Sequence, residues 1–555
     1  MLHFKKYVEI GKIIFKILSK KNSKDKCDIM NLNKKILVIS MLVMLVCCVS
    51  AVSATDINGT DDISDDIIID ENPVDEITDV VEDAEIDEVE DDPVEEQQQN
   101  PVEDGTINGL TYNYFFHPET GELATNVDLN FTGNFYAKDF GNFKVGKTIT
   151  INAEGATFHN IGFDLKVSDI TINGGTFIFD NPGNITSVIS SNHSGTVINN
   201  TIINVTAPEN QNCYAINLYS AGSSQILNNV IYYVDDYANN RSYNYVVKVN
   251  ASSEVKMVGN NITAILPMKT VEWKDKNFTG INRNFVAGIA VTESNYFNLT
   301  GNKLDITGNS RDGDGPTLDA VLIYESNHVT IEKNTIIEKD INSTTGQYSY
   351  IYGVDALKCS QMTINNNTIT MNADQSGGYV GGNGTGAAYC VQLTGPYTGT
   401  TVSNNILTTQ NSGPNTAIYS QNWDGQTDVT ITGNTIEVTG KGTNITWDLL
   451  TGIELQDDNA IVSGNTITVN NNGGYDTDYN VYGISYCQYS PRYHTYIITN
   501  NTVTVNEGLY TVYIMDGHNC NVTGNILNSH YSWHYNSGNA TVFVAGSGNT
   551  VGPNP

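Results

Sequence analysis

One phrase recurs through this chain, at intervals shorter than a folded domain and too regular to be accidental. Asn200, Asn229, Asn260, Asn302, Asn334, Asn367, Asn405, Asn434, Asn465, Asn501, Asn525 and Asn549 each stand in a context such as I-T-G-N-T-I-T-V. Neighbouring copies lie 24 residues apart at the closest, Asn501 to Asn525, and 42 at the widest, Asn260 to Asn302. In eleven of the twelve, the residue three before the Asn and the residue two after it are both apolar, as in Val197/Ile202, Ile331/Ile336, Ile431/Ile436 and Val522/Leu527. With 39% apolar residues overall, such a pair arises by chance about 0.15 of the time, so the period is a structural repeat. The residue before the Asn is Gly or Asn everywhere except Lys333. Those two types tolerate left-handed backbone, so the chain turns sharply there between two short strands.

A second phrase precedes each Asn. It reads YAINLYS at Tyr214–Ser220, AGIAVTES at Ala287–Ser294, DAVLIYES at Asp319–Ser326, TAIYSQ at Thr416–Gln421, TGIELQ at Thr451–Gln456 and YTVYIM at Tyr510–Met515. These are alternating strands rich in β-branched and aromatic residues, with no helical period. A unit of two or three such strands cannot bury its apolar side alone, so units must stack. Stacking at the strand spacing lays Ile, Val and Leu in ladders inside. It also brings the twelve Asn side chains into register at the turn, where their amides hydrogen-bond from coil to coil. Repeats of this form, N-x-[ILV] after a turn with a second strand upstream, resemble those of the right-handed parallel β-helix superfamily. That superfamily includes pectin-degrading enzymes, periplasmic copper-site maturation proteins and many surface proteins. The resemblance covers most of 125–555 and implies an all-β fold, a right-handed single-stranded parallel β-helix; it is unspecific for function.

The amino-terminal part is of another kind. Lys34 and Lys35 precede the apolar run Ile36–Val52, followed by Ser53-Ala54. Positive flank, apolar stretch and small residues describe a secretory signal peptide cleaved after Ala54; the rival reading is an uncleaved signal anchor. Such a signal would begin well at Met30, the expected start of translation. Residues 55–104 hold 22 acidic residues and no Lys or Arg, which predicts an extended, disordered tether. The expected organisation is therefore 1–54 extension and signal, 55–104 acidic linker, and 105–555 β-helix. The chain's net charge of −33 argues against nucleic acid as a partner. Membrane contact is expected only through the amino-terminal segment, if it stays uncleaved. The Asn/Thr/Ile-rich composition, export signal and acidic leader together resemble adhesin-like surface proteins of methanogenic archaea. The resemblance implies a secreted or cell-surface protein that binds an extracellular polysaccharide or surface glycoprotein without catalysis. Two alternatives stay open, a polysaccharide lyase or glycoside hydrolase on the same scaffold and a structural wall component.

Catalysis on a polysaccharide needs acids and bases converging on one face. The nearest candidates are Asp457, Asp458, Asp516 and His518. The polygalacturonase pattern combines N-T-D, a D-D pair, G-H-G and R-x-K. Here Asn519 stands where the second Gly belongs, N-T-D and R-x-K are missing, and the Asp pair is some sixty residues from His518. Asp458 and His518 read more simply as turn residues. No His/Cys ligand spacing appears, and Asp312-Gly-Asp314-Gly lacks the remaining ligands of a calcium loop, so neither a metal nor another cofactor is expected. Five Cys follow the signal, an odd number that leaves at least one unpaired within the chain. The longer intervals swell at one point, as in Thr270–Asn284, Asn372–Gly386 and Asn470–Asn480. Insertions at one point of a repeat emerge on one edge of a solenoid, and their Tyr, Trp, Asp and Asn suit stacking on sugar faces with hydroxyl hydrogen bonds. Tolerated surface loops are the competing reading.

Overall fold

The computed structural model describes residues 106–554 apart from short internal stretches. The longer ones are 138–141, 181–184, 236–242, 271–284, 310–315, 342–349, 374–386, 422–427, 442–448, 474–479, 487–493 and 531–540, and 457–458 is another. The export signal, the acidic segment, Asp312, Asp314, Asp457, Asp458 and Cys487 therefore lie outside the described residues.

Each turn of the chain contributes three short strands. One coil runs Thr330–Glu332, Thr335–Ile341 and Tyr350–Leu357, and Thr363–Asn365 opens the next. Like strands of successive coils pair into three sheets. The first has 16 strands from Thr106–Ile107 to Thr550–Val551, the second 14 from Gly133–Tyr136 to Ile526–His530, and the third 15, beginning with Phe143–Val145. Pairing is parallel and one coil apart, as in Thr330–Glu332 with Thr363–Asn365. The exception among the described strands is Lys269–Thr270, antiparallel to Pro316–Tyr324. The fold is a parallel β-helix.

Alternation within each strand sends every second side chain inward, and parallel register stacks those side chains on their equivalents. Ile331, Ile364, Val402, Ile431, Val462 and Ile498 form one such inner column in the first sheet, all fully buried. Near its start the interior is aromatic instead. Phe131, Phe135, Phe143, Phe158, Phe163 and Phe177 pack ring on ring, with Phe158 and Phe177 stacked at 4.9 Å. Phe116, just after the short helix α1 (Tyr112–Phe115), stacks on Phe143 at 4.2 Å.

At the turn from first to second sheet runs a continuous amide column. Asn229, Asn260, Asn302, Asn334, Asn367, Asn405, Asn434, Asn465, Asn501 and Asn525 each donate Nδ2–H to the Oδ1 of the next, at 2.8–3.1 Å. The same Oδ1 also accepts the preceding Asn's backbone N–H, as Asn465 does from Asn434 at 2.9 Å. The residue before each Asn is left-handed, including Lys333 at φ 57°. Asn200 and Asn549 stand outside this column. Asn200 is itself the left-handed residue, φ 55°, and Thr201 takes the column position, donating its hydroxyl to Asn229 Oδ1 at 2.7 Å. The sequence V-I-N-N-T-I-I has adjacent apolar residues on both sides, so a one-residue slip keeps the apolar spacing. At the other end Asn554 receives from Asn525, while Asn549 lies in the turn from third to first sheet and accepts the Cys520 N–H at 2.9 Å.

That other turn holds a hydroxyl column. Ser252, Ser294 and Ser326 accept, through Oγ, the N–H of Ala221, Ser252 and Ser294 at 2.8, 2.9 and 2.8 Å. One coil further on, Cys359 occupies the same place, its thiol 3.1 Å from Leu357 O, much as the Ser326 hydroxyl meets Tyr324 O at 2.9 Å. Third-sheet strands also carry one extra residue. Tyr352 pairs with Tyr389 and Val354 with Val391, while Gly353 and Cys390 between them face the interior. A Cβ on Gly353 would meet Ile369 Cγ2 at 2.6 Å and Cys390 O at 2.7 Å, so this place demands a small residue. Two consecutive inward residues put Tyr352 and Asp355, three apart, on the same outer face.

Candidate functional site

All three long insertions leave the coil at one place, between second-sheet and third-sheet strands. They fall between Asn261–Pro267 and Phe285–Thr292, between Thr368–Ala373 and Ala387–Thr394, and between Thr466–Asn471 and Val481–Tyr486. The outer face beside that edge differs from the others. On the second sheet Ile406 is 53% exposed and Tyr232 48%, whereas on the third Asp355 is 1% and Thr451 0% exposed. The outer face of the third sheet is thus withheld from solvent in its central coils, though not at its ends, where Tyr219 is 56% and Phe543 38% exposed, and the central coils are where a recessed ligand site would be built.

Its character changes along the axis. In the coils up to Pro316–Tyr324, the outer residues Tyr214, Tyr245, Ala287, Ala290 and Leu322 form a buried apolar patch with Leu357. Lys248 sits over the Tyr214 ring at 5.6 Å, and burial lowers its pKa. From Tyr350–Leu357 to Leu450–Gln456 the face is polar. Asp355, Gln392, Tyr419 and Glu454 are register partners in one column, with Gln421 and Gln456 beside them. Gln456 donates Nε2–H to Glu454 Oε1 at 2.7 Å. The next coils are aromatic: Tyr482 and Tyr513 stack at 4.9 Å, and Tyr513 and Phe543 at 4.9 Å.

These rings lie on one another along the axis. Tyr352 and Tyr389 likewise stack at 5.2 Å with planes 9° apart. The faces these rings turn to one another are closed to a ligand, so here tyrosine offers hydroxyl edges; the Tyr and Trp of the insertions, expected to stack on sugars, lie outside the described residues. Asp355 and Glu454 are three strand spacings apart, about 14 Å. Paired carboxylates of glycosidases stand roughly 5–9.5 Å apart, so these two cannot share one glycosidic bond.

A buried acid escaped the sequence reading. Glu338 lies inside the coil in a column between Ile306 and Met371, with no exposed surface. Burial pushes its pKa well above the usual carboxylate range, and the nearby charges of Asp319 and Asp340 add to this. The backbone N–H groups of Ala320 and Tyr352 oppose the shift in part, yet neither Glu338 oxygen completes a hydrogen bond. Its signal was available: TIIEKDI places Glu where the alternation calls for an apolar side chain.

Of the four acid–base candidates, the structure places Asp516 and His518. Asp516 Oδ1 is 3.4 Å from His518 Nε2, and His518 Nδ1 is 2.9 Å from Ser547 Oγ. Asp516 and His518 are two apart on one strand, and Ser547 is the register partner of His518 in the next coil. Ladder geometry alone brings these groups together, on an open surface with exposed Ser547. Among the described residues no group of three or more His, Cys, Asp or Glu is arranged to hold a metal ion. Cys359, Cys390 and Cys520 are buried free thiols, and Cys213 is buried too.

No protein-family profile matches the chain, and no curated protein matches it. Among solved structures it is similar to the Dettilon tailspike protein, at 10% identity over 69% of this chain and 68% of that one, TM-score 0.34. It is also similar to a tailspike protein mutant of E. coli bacteriophage HK620 in complex with hexasaccharide, at 12% identity over 71% and 66%, TM-score 0.30. A third is the catalytic domain of an alpha-1,3-glucanase in complex with tetrasaccharides, at 10% identity over 76% and 65%, TM-score 0.26. The fold assignment stands on the strand register described above.

Proposed function

We propose that this chain is a secreted or cell-surface β-helix protein that binds an extracellular glycan on the outer face of its third sheet, without catalysis of its own. The observation that carries this reading is the polar column Asp355, Gln392, Tyr419 and Glu454, flanked by Gln421 and Gln456 and recessed beside the edge where the insertions emerge. Amides, carboxylates and phenol hydroxyls in a row are donors and acceptors for a row of sugar hydroxyls. Their regular spacing of about 4.8 Å suits an extended polymer lying along the axis. The roughly 14 Å between the carboxylates supports binding over bond cleavage.

The test is binding of the purified full chain to cell-wall polysaccharide fractions, run beside a depolymerisation assay on the same fractions. Gln392→Ala is expected to weaken binding about tenfold with the far-UV spectrum unchanged, as for loss of hydrogen bonds to a desolvated polar ligand. Depolymerisation by the wild type that Asp458→Asn abolishes would replace this reading with the enzymatic one.

A further inference from the structure

Sequons of the form N-x-[ST] recur along the repeat body, and in an exported chain each is a candidate acceptor for a glycan on its amide nitrogen. An attached glycan is bulky and hydrated, so the folded coil can carry one only where the Asn stands clear of the ladders. The described sequons on strands are crowded by register partners at roughly 4.8 Å on either side. Asn261 and Asn521 have their Oδ1 atoms shut off from solvent. Asn199 donates Nδ2–H to Asn173 Oδ1 at 3.4 Å, and Asn250 donates to Thr292 Oγ1. Three described acceptors are exposed in turns instead, Asn192, Asn366 and Asn500. In the sequon of Asn192, Ser194 shares its hydroxyl with Ser168 at 3.3 Å. Asn366 takes the left-handed position before the Asn column, where its equivalents are Lys333 and Asn404, and Asn404 Nδ2–H reaches back to Asn365 Oδ1 at 3.1 Å. Asn500 holds the same position at φ 57°, but its equivalents one coil away on either side are Gly464 and Gly524. Its side chain therefore has open space on both sides, and its Oδ1 lies 3.1 Å from where a Cβ on Gly524 would stand. Among the described residues neither the Asn500 amide nor the Thr502 hydroxyl is engaged by a side-chain hydrogen bond.

Resting on the secreted or cell-surface reading above, we infer that Asn500, in the sequon Asn500-Asn501-Thr502, is a site of N-glycosylation. In the transfer, Asn500 Nδ2 attacks the anomeric carbon of a sugar activated as a glycosyl phosphate. The C–O bond to phosphate breaks, its electron pair leaves on the phosphate, an N–C bond forms, and the amide gives up one proton. Thr502 supplies the hydroxyl that a transferase reads two residues after the acceptor. Asn501 between them is turned into the amide column, donating Nδ2–H to Asn525 Oδ1 at 2.9 Å, so acceptor and hydroxyl both stay outside. The acceptor stands at the turn from first to second sheet, the one turn of the coil that does not border the third sheet. A glycan there projects away from the polar column and leaves that face open to its ligand.

The test is glycopeptide mass spectrometry on the full chain recovered from the cells that make it, with the cytosolic, surface and medium fractions each assayed for the chain. No Lys or Arg follows Arg492, so the denatured chain is cut with chymotrypsin; cleavage after Tyr496 and Leu509 leaves Asn500 as the single sequon of its peptide. That peptide is expected to carry the mass of linked sugar residues on Asn500, while those holding Asn261 and Asn521 stay unmodified. Asn500→Gly copies the residue of the coils on either side, and Thr502→Val keeps the shape of its side chain. Each should lose the added mass with the far-UV spectrum unchanged, and Thr502→Ser should keep it. An unmodified Asn500 in chain recovered from the surface or medium overturns the inference and leaves the secreted or cell-surface reading standing. Added mass that persists in Thr502→Val overturns it as well. Recovery of the chain from the cytosol alone overturns the secreted or cell-surface reading, and this inference with it.

Discussion

Glu338 is the least comfortable residue of the described chain, and its cost has a definite pH dependence. Its folded pKa is raised by burial, and by the charges of Asp319 and Asp340, above the value of about 4.3 expected unfolded. A carboxyl so placed favours the folded state fully below the unfolded value, and loses that advantage as pH rises toward the folded one. Each pH unit between the two values is worth about 1.4 kcal/mol. Glu338→Gln should therefore raise thermal stability at pH 7.5 and leave it nearly unchanged below about pH 4. Parallel melting curves for the two chains across that range would refute this account. Cys359 behaves differently, because its thiol only fills a place that Ser294 and Ser326 fill in the coils before it. Burial pushes its pKa up to about 12. In a chain with Cys27, Cys47, Cys48, Cys213 and Cys487 replaced by Ser, the folded protein should give no reaction with a thiol reagent at pH 8, and the three remaining thiols should react after denaturation. Cys359→Ser should stay within about 1 kcal/mol of the parent, since an Oγ at this position already has a backbone acceptor.

Third-sheet strands differ from the other two kinds by their extra inward residue, and that difference builds the candidate face. Gly288, Ala320, Gly353, Cys390, Ala417, Gly452 and Gly483 take this place in successive coils, each flanked by register pairs that skip it. Gly353→Ala should destabilise by roughly 1–3 kcal/mol, because Ile369 and the Cys390 carbonyl leave its Cβ no room. A neutral result in chemical denaturation would mean that the strand shifts at no cost, and that the bulge does not determine the outer register. This element was written in the sequence as A-G-I, Y-G-V and T-G-I inside otherwise alternating strands, but a small residue alone does not reveal that it is skipped in pairing. The turn columns were easier to read, since an Asn after a left-handed Gly or Asn repeats in type and spacing. Asn549, the one copy without the apolar pair, belongs to the other turn, and the slip at Asn200 shows the limit of that reading. Apolar spacing survives a shift of one residue, and only hydrogen-bond partners identify which of two neighbouring polar residues points inward. The polar face was hidden for a further reason: Asp355, Gln392, Tyr419 and Glu454 are scattered in sequence, and only coil stacking makes them adjacent.

The described coils form one stack in which each touches chiefly its neighbours, so stability should be a sum of coil terms and interface terms rather than a single all-or-none quantity. The Asn column tests this, because it links ten interfaces through identical bonds. Asn434 Oδ1 accepts from the backbone N–H and the Nδ2–H of Asn405, and its own Nδ2–H groups reach Val402 O and Asn465 Oδ1, all at 2.9 Å. Asn434→Ala strands these partners in the interior, each buried unsatisfied group costing about 1–3 kcal/mol. In a compact domain that loss would raise exchange everywhere. Here amide exchange should rise in Thr400–Ser403, Asp428–Thr432 and Asn459–Ser463, the strands entering the turns on either side of position 434. Distant coils such as Thr150–Asn152 and Thr171–Asn173, packed under the phenylalanine cluster, should exchange as in the wild type. Hydrogen exchange followed by mass spectrometry reads both regions at once. A uniform rise along the chain would show one cooperative unit, and the glycan face would then have to be regarded as coupled to every coil rather than to its own four or five.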